Sequence, residues 1–250
     1  MIYILVILVI YLFLIAPSFR RKEFVQKKYT HRGHHSEDQS VLENSVQAFE
    51  LAIKQGYGIE LDVRLSKDDT VVVYHDDNLE RLHHEDIKVS NLNSEELKEF
   101  NIMTLQEVLE LVAGRVDLIV ELKSGSQNKL LASKVYEILS DYEGSYSIES
   151  FDPRIVFWFR KNASDVMRGQ LIMPIKQYDN LLLGFLINSM VFHWLTRPHF
   201  IALNVKSSLK NPSLIINKLL GAKICWWVVH KEHPTYMKWL NAYIFEYFNA

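Results

Sequence analysis

The sequence contains a single cysteine, Cys225, in 250 residues. One thiol cannot close an internal disulfide or supply a cysteine-based metal cluster. The chain also lacks an excess of charge of either sign, because 28 basic and 30 acidic residues leave a net charge of −2. Without a global basic field the composition predicts no nucleic-acid partner, and an anionic substrate must be held by local charge. Internal repeats and low-complexity stretches are absent as well.

The first nineteen residues lack any charged side chain. As a helix they would reach about 28 Å, close to the ~30 Å hydrocarbon thickness of a bilayer. A cleaved signal peptide is the alternative, but no basic residue precedes the apolar run, and Leu14 stands where a small residue is needed. We therefore expect a transmembrane anchor over residues 1–19 and a basic linker over residues 20–28. Since the basic residues follow the apolar run, the positive-inside rule predicts one N-terminal pass through the membrane and places the domain that follows on the cytoplasmic side.

The remaining residues, 29–250, alternate short β-branched runs with amphipathic helical runs, a pattern typical of βαβ units and a parallel sheet. Eight candidate strands are present, the number that closes an α/β barrel. They end at Thr30, Val63, Leu122, Ser150, Ile172, Asn204, Val229 and Tyr247. Helices are predicted over residues 45–55, 105–112, 129–139, 153–160, 181–195 and 212–219. The fold class expected is therefore α/β, a (β/α)8 TIM barrel preceded by the N-terminal transmembrane helix.

A further apolar run, at residues 71–74, lies too close to the second strand for a crossover helix to fit between them. It is predicted to fold back as an antiparallel hairpin arm. Pairing Ser66 with Val71 would then place His75 opposite Asp62. Residues 83–103 are polar, and a small insertion after strand 2 is predicted over about residues 76–103.

Carboxylates stand at the ends of two predicted strands, where α/β barrels carry their functional groups. Glu60 and Asp62 are two residues apart and therefore share one face of a strand, and Glu121 ends the next parallel strand. Three carboxylates without a cysteine suit a hard divalent cation such as Ca²⁺ or Mg²⁺. The sequence therefore predicts a metal site formed by these side chains.

Basic and titratable side chains stand beside the predicted metal site. Arg32 and Lys123 can hold phosphate oxygens, the first through a bidentate guanidinium and the second as a point charge. A surface position is the alternative for Lys123, although it shares a strand face with Glu121. His31 and His75 can exchange protons near neutral pH. Four other histidines are expected to be solvated loop residues, namely His34, His35, His83 and His84.

Several short segments occur in an order that resembles the glycerophosphodiester phosphodiesterase family. They are His31-Arg32-Gly33, Glu43-Asn44-Ser45, Glu60-Leu61-Asp62-Val63, residues 75–81, Glu121-Leu122-Lys123 and Ser150-Phe151-Asp152. The resemblance runs from about residue 29 nearly to the end of the chain. It implies a TIM barrel with an inserted segment, and hydrolysis of glycerophosphodiesters to glycerol phosphate and an alcohol.

The resemblance also implies a role for each matching position. The metal would be bound by Glu60, Asp62 and Glu121, and the general acid and base would be His31 and His75. Phosphate would be held by Arg32 and Lys123, with Glu43 and Asn44 in or next to the site. Glu43 has an alternative reading as a favourable charge at a helix N-terminus. The chain departs from the family pattern at residues 227–230 and at Phe245-Glu246, where the family commonly has Thr-Val-Asn and Thr-Asp.

Two enzymatic interpretations differ in the substrate, which is either a glycerophosphodiester or an acyl-bearing lysophospholipid. A lysophospholipase D acting on acyl-bearing lysophospholipids is favoured by the predicted anchor and by the apolar residues 181–195. That segment is expected either to contact membrane lipid or to be buried in a homodimer. A catalytically silent membrane-bound binding module is the third reading, and it is disfavoured because no expected catalytic position is missing.

Overall fold

The structure is a computed structural model that describes residues 2–207, 209–233 and 240–250. Its strands are β1 (Lys28–Thr30), β2 (Gly58–Leu65), β3 (Val71–Val73), β4 (Asn78–Leu79), β5 (Glu85–Lys88), β6 (Leu118–Leu122), β7 (Tyr146–Ser150), β8 (Met167–Ile172), β9 (Phe200–Asn204), β10 (Lys223–Val229) and β11 (Ala242–Phe245). Its helices are α1 (Ile2–Ile15), α2 (Val46–Lys54), α3 (Glu80–His83), α4 (Ser94–Lys98), α5 (Leu105–Val112), α6 (Asn128–Ser140), α7 (Pro153–Asn162), α8 (Leu181–Asn188), α9 (His193–Thr196) and α10 (Pro212–Leu219).

Eight parallel strands close a barrel within the described residues, as the sequence predicts. Their order is β1, β2, β6, β7, β8, β9, β10 and β11, and β1 pairs with both β2 and β11. Six of the predicted strand ends agree with the structure, whereas β2 continues to Leu65 and β11 ends at Phe245 rather than at Tyr247. The barrel places the carboxyl ends of all eight strands on one face.

The β2–β3 hairpin forms as an antiparallel pair, but its predicted register is wrong by one residue. Val63 lies opposite Val73 rather than opposite Tyr74. The backbone N–H of Tyr74 instead donates to the carbonyl of Asp62 (2.9 Å), so His75 follows one position beyond that bond. The histidine therefore lies near the carboxylate without standing directly opposite it.

The hairpin loop explains this shift in register. The N–H of Ser66 donates to the carbonyl of Thr70 (3.0 Å), which leaves a loop of residues 67–69. Asp69 adopts φ 58° in that loop. A short hairpin loop containing a left-handed residue is a favoured geometry, and it decides the register over the pairing of apolar side chains.

Between β3 and α5 the chain leaves the barrel and forms a separate small unit. The strands β4 and β5 pair antiparallel there, and α3 and α4 lie beside them. The unit has its own apolar cluster, which includes Tyr74, Leu79, Val89 and Leu97. It contacts the carboxyl end of β2, where the N–H of Lys67 donates to the carbonyl of Leu92 (2.8 Å) and Arg64 pairs with Asp77.

Alternate residues of each barrel strand face different layers. Ile59, Leu61 and Val63 of β2 pack outward with residues of α2 and α5 in one large apolar cluster. The barrel interior holds a second apolar cluster, including Tyr29 and Phe200. Because successive strand residues point to opposite faces, the acidic residues of β2 that lie between the outward ones point inward.

The helix α1 packs with its C-terminal end against α9 and α10. Ile15 is fully buried there, and the Tyr11 hydroxyl lies 2.8 Å from Ser213 Oγ. The Arg197 guanidinium donates to the carbonyl of Phe13 (2.9 Å). These contacts make the end of α1 part of the packed structure of the barrel.

The predicted transmembrane anchor is wrong. Within the described residues no helix combines the length and the apolar character that crossing a bilayer requires. The 14 residues of α1 reach about 21 Å, well short of ~30 Å. The helix ends at Ile15 because Pro17 disfavours a helical conformation of the preceding Ala16. The predicted membrane localisation, with a single pass and a cytoplasmic catalytic domain, depended on this anchor and is therefore wrong as well.

The single helix predicted over residues 181–195 is also wrong, because α8 and α9 are separate. Met190 has φ 62°, a left-handed conformation that a right-handed helix cannot continue through. Its side chain is buried at the break. On α8, in contrast, Leu181, Leu182 and Phe185 are exposed. The expected homodimer contact through this segment stays a prediction.

The packing of α1 is tested by two matched substitutions in the same helix. Ile15→Ala should lower the free energy of unfolding by about 2–5 kcal/mol, because it leaves a cavity between α1 and the barrel. Ile10→Ala, at an exposed position of α1, should change it by less than about 0.5 kcal/mol. Urea denaturation of both variants measures the difference. Equal free energies of unfolding for the two variants would show that α1 does not pack on the barrel.

Candidate active site

Three carboxylates converge inside the barrel at the carboxyl ends of the strands. Glu60 and Asp62 belong to β2, Glu121 belongs to β6, and the register aligns Asp62 with Glu121. One oxygen from each of the three side chains lies within 4.8 Å of the others, and all three residues are buried. The structure thus brings together the residues that the sequence assigns to a metal site.

The electrostatics of this cluster fit a divalent cation. Burial raises the pKa of Glu60 well above its usual value, and the charges of Asp62 and Glu121 raise it further. Glu60 Oε1 is buried without a hydrogen-bond partner among the described residues. Buried carboxylates are costly unless they are paired or coordinate a metal. An oxygen-only donor set of this kind matches the ligand preference of Ca²⁺ and Mg²⁺.

Lys123 lies within the carboxylate cluster and is not a surface residue. Its Nζ atom is 2.7 Å from Asp62 Oδ1 and 2.6 Å from Glu121 Oε1. Burial alone would lower the pKa of Lys123, but the charges of Asp62 and Glu121 outweigh it and raise that pKa. The ammonium group is therefore positively charged at the floor of the barrel mouth.

Arg32 approaches the same carboxylates from the end of β1. Its backbone N–H donates to Glu60 Oε2 (3.0 Å), and its Nε lies 3.4 Å from Asp62 Oδ2. Asn44 donates from Nδ2 to the same Asp62 oxygen (3.0 Å). Arg32 has φ 54° and Gly33 φ 79°, so the chain reverses tightly here. A Cβ atom on Gly33 would lie 2.8 Å from the Cβ of an α2 alanine, which is why this turn requires glycine.

Glu43 bridges two arginines rather than acting only as a charge before a helix. It accepts hydrogen bonds from Arg32 (2.8 Å) and from Arg81 (2.6 and 2.9 Å). Burial raises the pKa of Glu43, but the hydrogen bonds from Arg81 and the charge of Arg32 produce a net lowering. The bridge connects the end of β1 to the small unit that follows β3.

His31 is hydrogen-bonded through Nδ1 to Glu246, just after β11. Its other ring nitrogen, Nε2, lies 3.8 Å from Glu60 Oε2. Burial, followed by the charge of Arg32, lowers the pKa of His31 below its ordinary value of 6.5. Burial would raise the pKa of Glu246, but the His31 hydrogen bond outweighs it and lowers that pKa to about 2. The Glu246 carboxylate therefore orients the His31 ring through Nδ1.

His75, which follows β3, also has its Nδ1 against a carboxylate. Its Nδ1 lies 2.6 Å from Asp76 Oδ1, and Asp76 Oδ2 accepts from Arg81 Nε (2.6 Å). Both histidines thus have Nδ1 engaged by a carboxylate and Nε2 available for another partner.

Sequence reasoning gave no role to several residues that form this network. Glu246 appeared only as a departure from the family pattern, and Asp76 and Arg81 only as part of a matching segment. His35, expected to be solvated, is buried with its Nε2 3.9 Å from Glu246 Oε1. The site predicted from the sequence does not include Glu149, which is buried in β7 next to Glu121. The inward face of β7 was the one signal that could have identified Glu149.

Comparison with known protein families matches residues 31–245 to the glycerophosphoryl diester phosphodiesterase family. This chain belongs to that family. The matched segment contains the three carboxylates, both histidines and Lys123, and it ends one residue before Glu246.

Several known proteins are similar to this family member. A glycerophosphodiester phosphodiesterase of Caldanaerobacter subterraneus subsp. tengcongensis is 36% identical over 107 residues, which cover 37% of this chain and 44% of the relative. Human lysophospholipase D GDPD1 is 31% identical over 143 residues, which cover 49% of this chain and 44% of the relative. The matched segment spans about half the length of the curated relatives. A crystal structure of a Thermotoga maritima glycerophosphodiester phosphodiesterase has a TM-score of 0.70 and 26% identity, and the match covers 90% of this chain and 96% of that one.

The departures from the pattern of the glycerophosphodiester phosphodiesterase family lie on one side of the mouth. Glu246 stands where an aspartate is common, and its longer side chain reaches His31. Trp227 packs edge-to-face against Phe151, with ring centroids 5.5 Å apart. These positions lie beside the carboxylates and leave the cluster of Glu60, Asp62 and Glu121 complete.

The contact between His31 and Glu246 is tested by titrating His31 in this family member. NMR should show its imidazole titrating below 6.5, and Glu246→Gln should lower the pKa further. The reason is that the Glu246 charge favours the protonated ring, so its removal favours the neutral one. Glu143→Gln, at an exposed position before β7, should leave the titration unchanged. A rise of the His31 pKa in Glu246→Gln would contradict the contact.

Proposed function

We propose that the chain hydrolyses glycerophosphodiesters to glycerol phosphate and an alcohol. The observation that supports this best is the convergence of three kinds of group at one barrel mouth. Buried carboxylates suited to a divalent cation lie beside two phosphate-binding cations, and two carboxylate-oriented histidines flank them. Relatives named as glycerophosphodiester phosphodiesterases agree with this reading.

Glu60, Asp62 and Glu121 would hold the divalent cation, either Ca²⁺ or Mg²⁺. When bound, such an ion supplies Lewis-acid charge to phosphate oxygens. Lys123 and Arg32 already lie against these carboxylates and would bind the remaining phosphate oxygens as a point charge and a planar fork. Asn44 and Glu43 would hold Asp62 and Arg32 in position through the hydrogen bonds described above.

The two histidines would transfer the protons. In His31 and His75 the Nδ1 atom is occupied by a carboxylate, so Nε2 is the atom that exchanges a proton with substrate. Burial and the charge of Arg32 lower the pKa of His31 and so favour its neutral ring, which suits removal of a proton from the nucleophile, either water or a neighbouring glycerol hydroxyl. His75 would then protonate the leaving alcohol.

A lysophospholipase D activity is the second candidate. Two observations favour it: the relative named lysophospholipase D, and a cavity beside Ser124 whose lining includes the apolar side chains of Leu183 and Ile187. A catalytically silent binding module has less support, because every position expected for catalysis is present and lies in one cluster. The metal and histidine predictions below apply to either enzymatic candidate.

The carboxylate cluster is tested by metal binding. Isothermal titration with Ca²⁺ and with Mg²⁺ should show one site, and Glu60→Gln, Asp62→Asn and Glu121→Gln should each weaken it at least tenfold because each removes a charged oxygen ligand. Glu137→Gln, at an exposed position of α6, should bind as the unchanged protein does. A chelator should abolish diester hydrolysis. Full activity in chelator would disprove the metal requirement.

The histidines are tested with glycerophosphocholine as substrate. His31→Asn and His75→Asn should each lower kcat by about 10²–10⁴-fold, the usual contribution of one general acid or base, while metal binding persists. His84→Asn provides the control, because His84 is exposed and asparagine tolerates its left-handed conformation. Near-normal turnover in either test variant would remove that histidine from the mechanism.

A further inference from the structure

Arg64 extends the row of inward-facing side chains on β2, and the chemistry described above does not use it. Residues two apart on a strand share a face, so Arg64 continues the face that carries Glu60 and Asp62. The hairpin fixes its position along the strand, because Arg64 pairs with Val72. The side chain is only 18% exposed and, together with Lys123, lines a cavity of about 510 Å³ at the barrel mouth.

The guanidinium of Arg64 holds the segment that contains His75. Its Nε donates to the backbone carbonyl of His75 (2.9 Å), and its Nη1 lies 3.3 Å from Asp77 Oδ1. These two contacts lie on either side of Asp76, whose carboxylate engages the His75 ring. Asp77 is anchored in turn, because its carbonyl accepts from the N–H of Val89 (3.0 Å). Arg64 thus connects β2 to both ends of the short segment that orients this ring.

His75 itself lies outside the strands. The hairpin reaches the N–H of Tyr74, which donates to the carbonyl of Asp62 (2.9 Å). Because β3 ends at Val73 and β4 begins at Asn78, residues 75–77 form bends between the two strands. Side-chain contacts therefore fix the place of His75, and the contact to its carbonyl comes from Arg64.

We propose that Arg64 is a positioning residue for His75 and keeps Nε2 of that histidine directed toward the leaving oxygen of the diester. The proposal rests on the function proposed above, in which His75 protonates the leaving alcohol. A guanidinium suits this role because its planar fork holds two acceptors in a fixed geometry, whereas lysine offers one flexible ammonium group. A small displacement of a catalytic group from its working position can lower the rate by as much as about a hundredfold.

A direct contact between Arg64 and the phosphate is the alternative role. Two of the guanidinium nitrogens, Nε and Nη1, are already engaged by His75 and Asp77, which favours the positioning role. The two roles predict different kinetics. Every diester presents a phosphate, whereas proton donation matters most when the leaving group is a poor one.

Two diesters with different leaving groups separate these roles. Glycerophosphocholine releases an alkoxide that needs a proton, whereas the 4-nitrophenyl diester of glycerol phosphate releases a stable phenolate. Arg64→Gln should lower kcat for glycerophosphocholine by about 10- to 100-fold, with KM little changed. For the nitrophenyl diester the loss should be less than about threefold, because that reaction needs little help from His75.

Two further variants control for charge and for the loss of an arginine. Arg64→Lys keeps the charge but cannot form both contacts, so it should retain most of the defect. Arg115→Gln is the matched control, because Arg115 also donates from Nε to a backbone carbonyl, that of Val112 (3.1 Å), but stands exposed just after α5. It should hydrolyse both diesters as the unchanged protein does. Circular dichroism would verify that every variant is folded.

A double-mutant cycle and NMR examine the link between the two residues. In a His75→Asn background, Arg64→Gln should cause no further loss on glycerophosphocholine, because effects that act through one residue are not additive. NMR gives a readout that needs no turnover. Arg64→Gln should shift the nitrogen resonances of the His75 ring, and Arg115→Gln should leave them in place.

The possible failures are distinguishable. Full kcat in Arg64→Lys would show that charge alone matters, and an equal loss on both diesters would assign Arg64 to phosphate binding. Either result, or unshifted His75 resonances in Arg64→Gln, would overturn the positioning role. Normal turnover of glycerophosphocholine by His75→Asn would instead overturn the role proposed for that histidine in catalysis.

Discussion

The burial of three carboxylates at the mouth of one barrel is the constraint on which the rest of the site depends. Ionised groups removed from water in this way must be compensated by charge or by hydrogen bonds. One oxygen of Asp62 accepts a hydrogen bond from Asn44, and the other forms an ion pair with Lys123. Arg32 lies against Glu60 and Asp62 from the neighbouring strand end. The cations that compensate the cluster are also the groups suited to hold a phosphate, so the charges required for folding and those required for the proposed chemistry coincide.

The two histidines also depend on charged partners. Each ring is fixed by a carboxylate: Glu246, which is distant in the sequence, for His31, and the adjacent Asp76 for His75. Such partners decide which ring nitrogen faces the substrate. Arg81 then connects Asp76 to Glu43, so the small unit after β3 is tied to the first strand across the mouth. A displacement of that unit would therefore disturb both sides of the site at once.

Sequence patterns predicted the barrel because they depend on local chemistry. Periodicity separated strands from helices, and inward positions such as Glu60 followed from the two-residue alternation of a strand. The same local reasoning failed where a distant contact or a single backbone angle decided the outcome. Met190 breaks a helix that hydropathy favoured, and Asp69 shifts the hairpin register by one residue. The uncharged N-terminal run predicts a helix of nineteen residues, but Pro17 ends the helix early, at Ile15.

By itself the sequence determined the fold class, the family and the identity of the carboxylates and histidines, because strand periodicity and short ordered motifs carry that information along the chain. Only the tertiary structure decided which partners those residues have. Glu246 contacts His31 although 215 positions separate them in the sequence. The backbone carbonyl of Ile15 lies 3.1 Å from Nδ1 of His193, which is 178 positions away. The cavity beside Ser124 likewise exists only because three strand ends and α8 meet in space. Closure of the barrel brings β11 beside β1, and no local pattern encodes which side chains then touch.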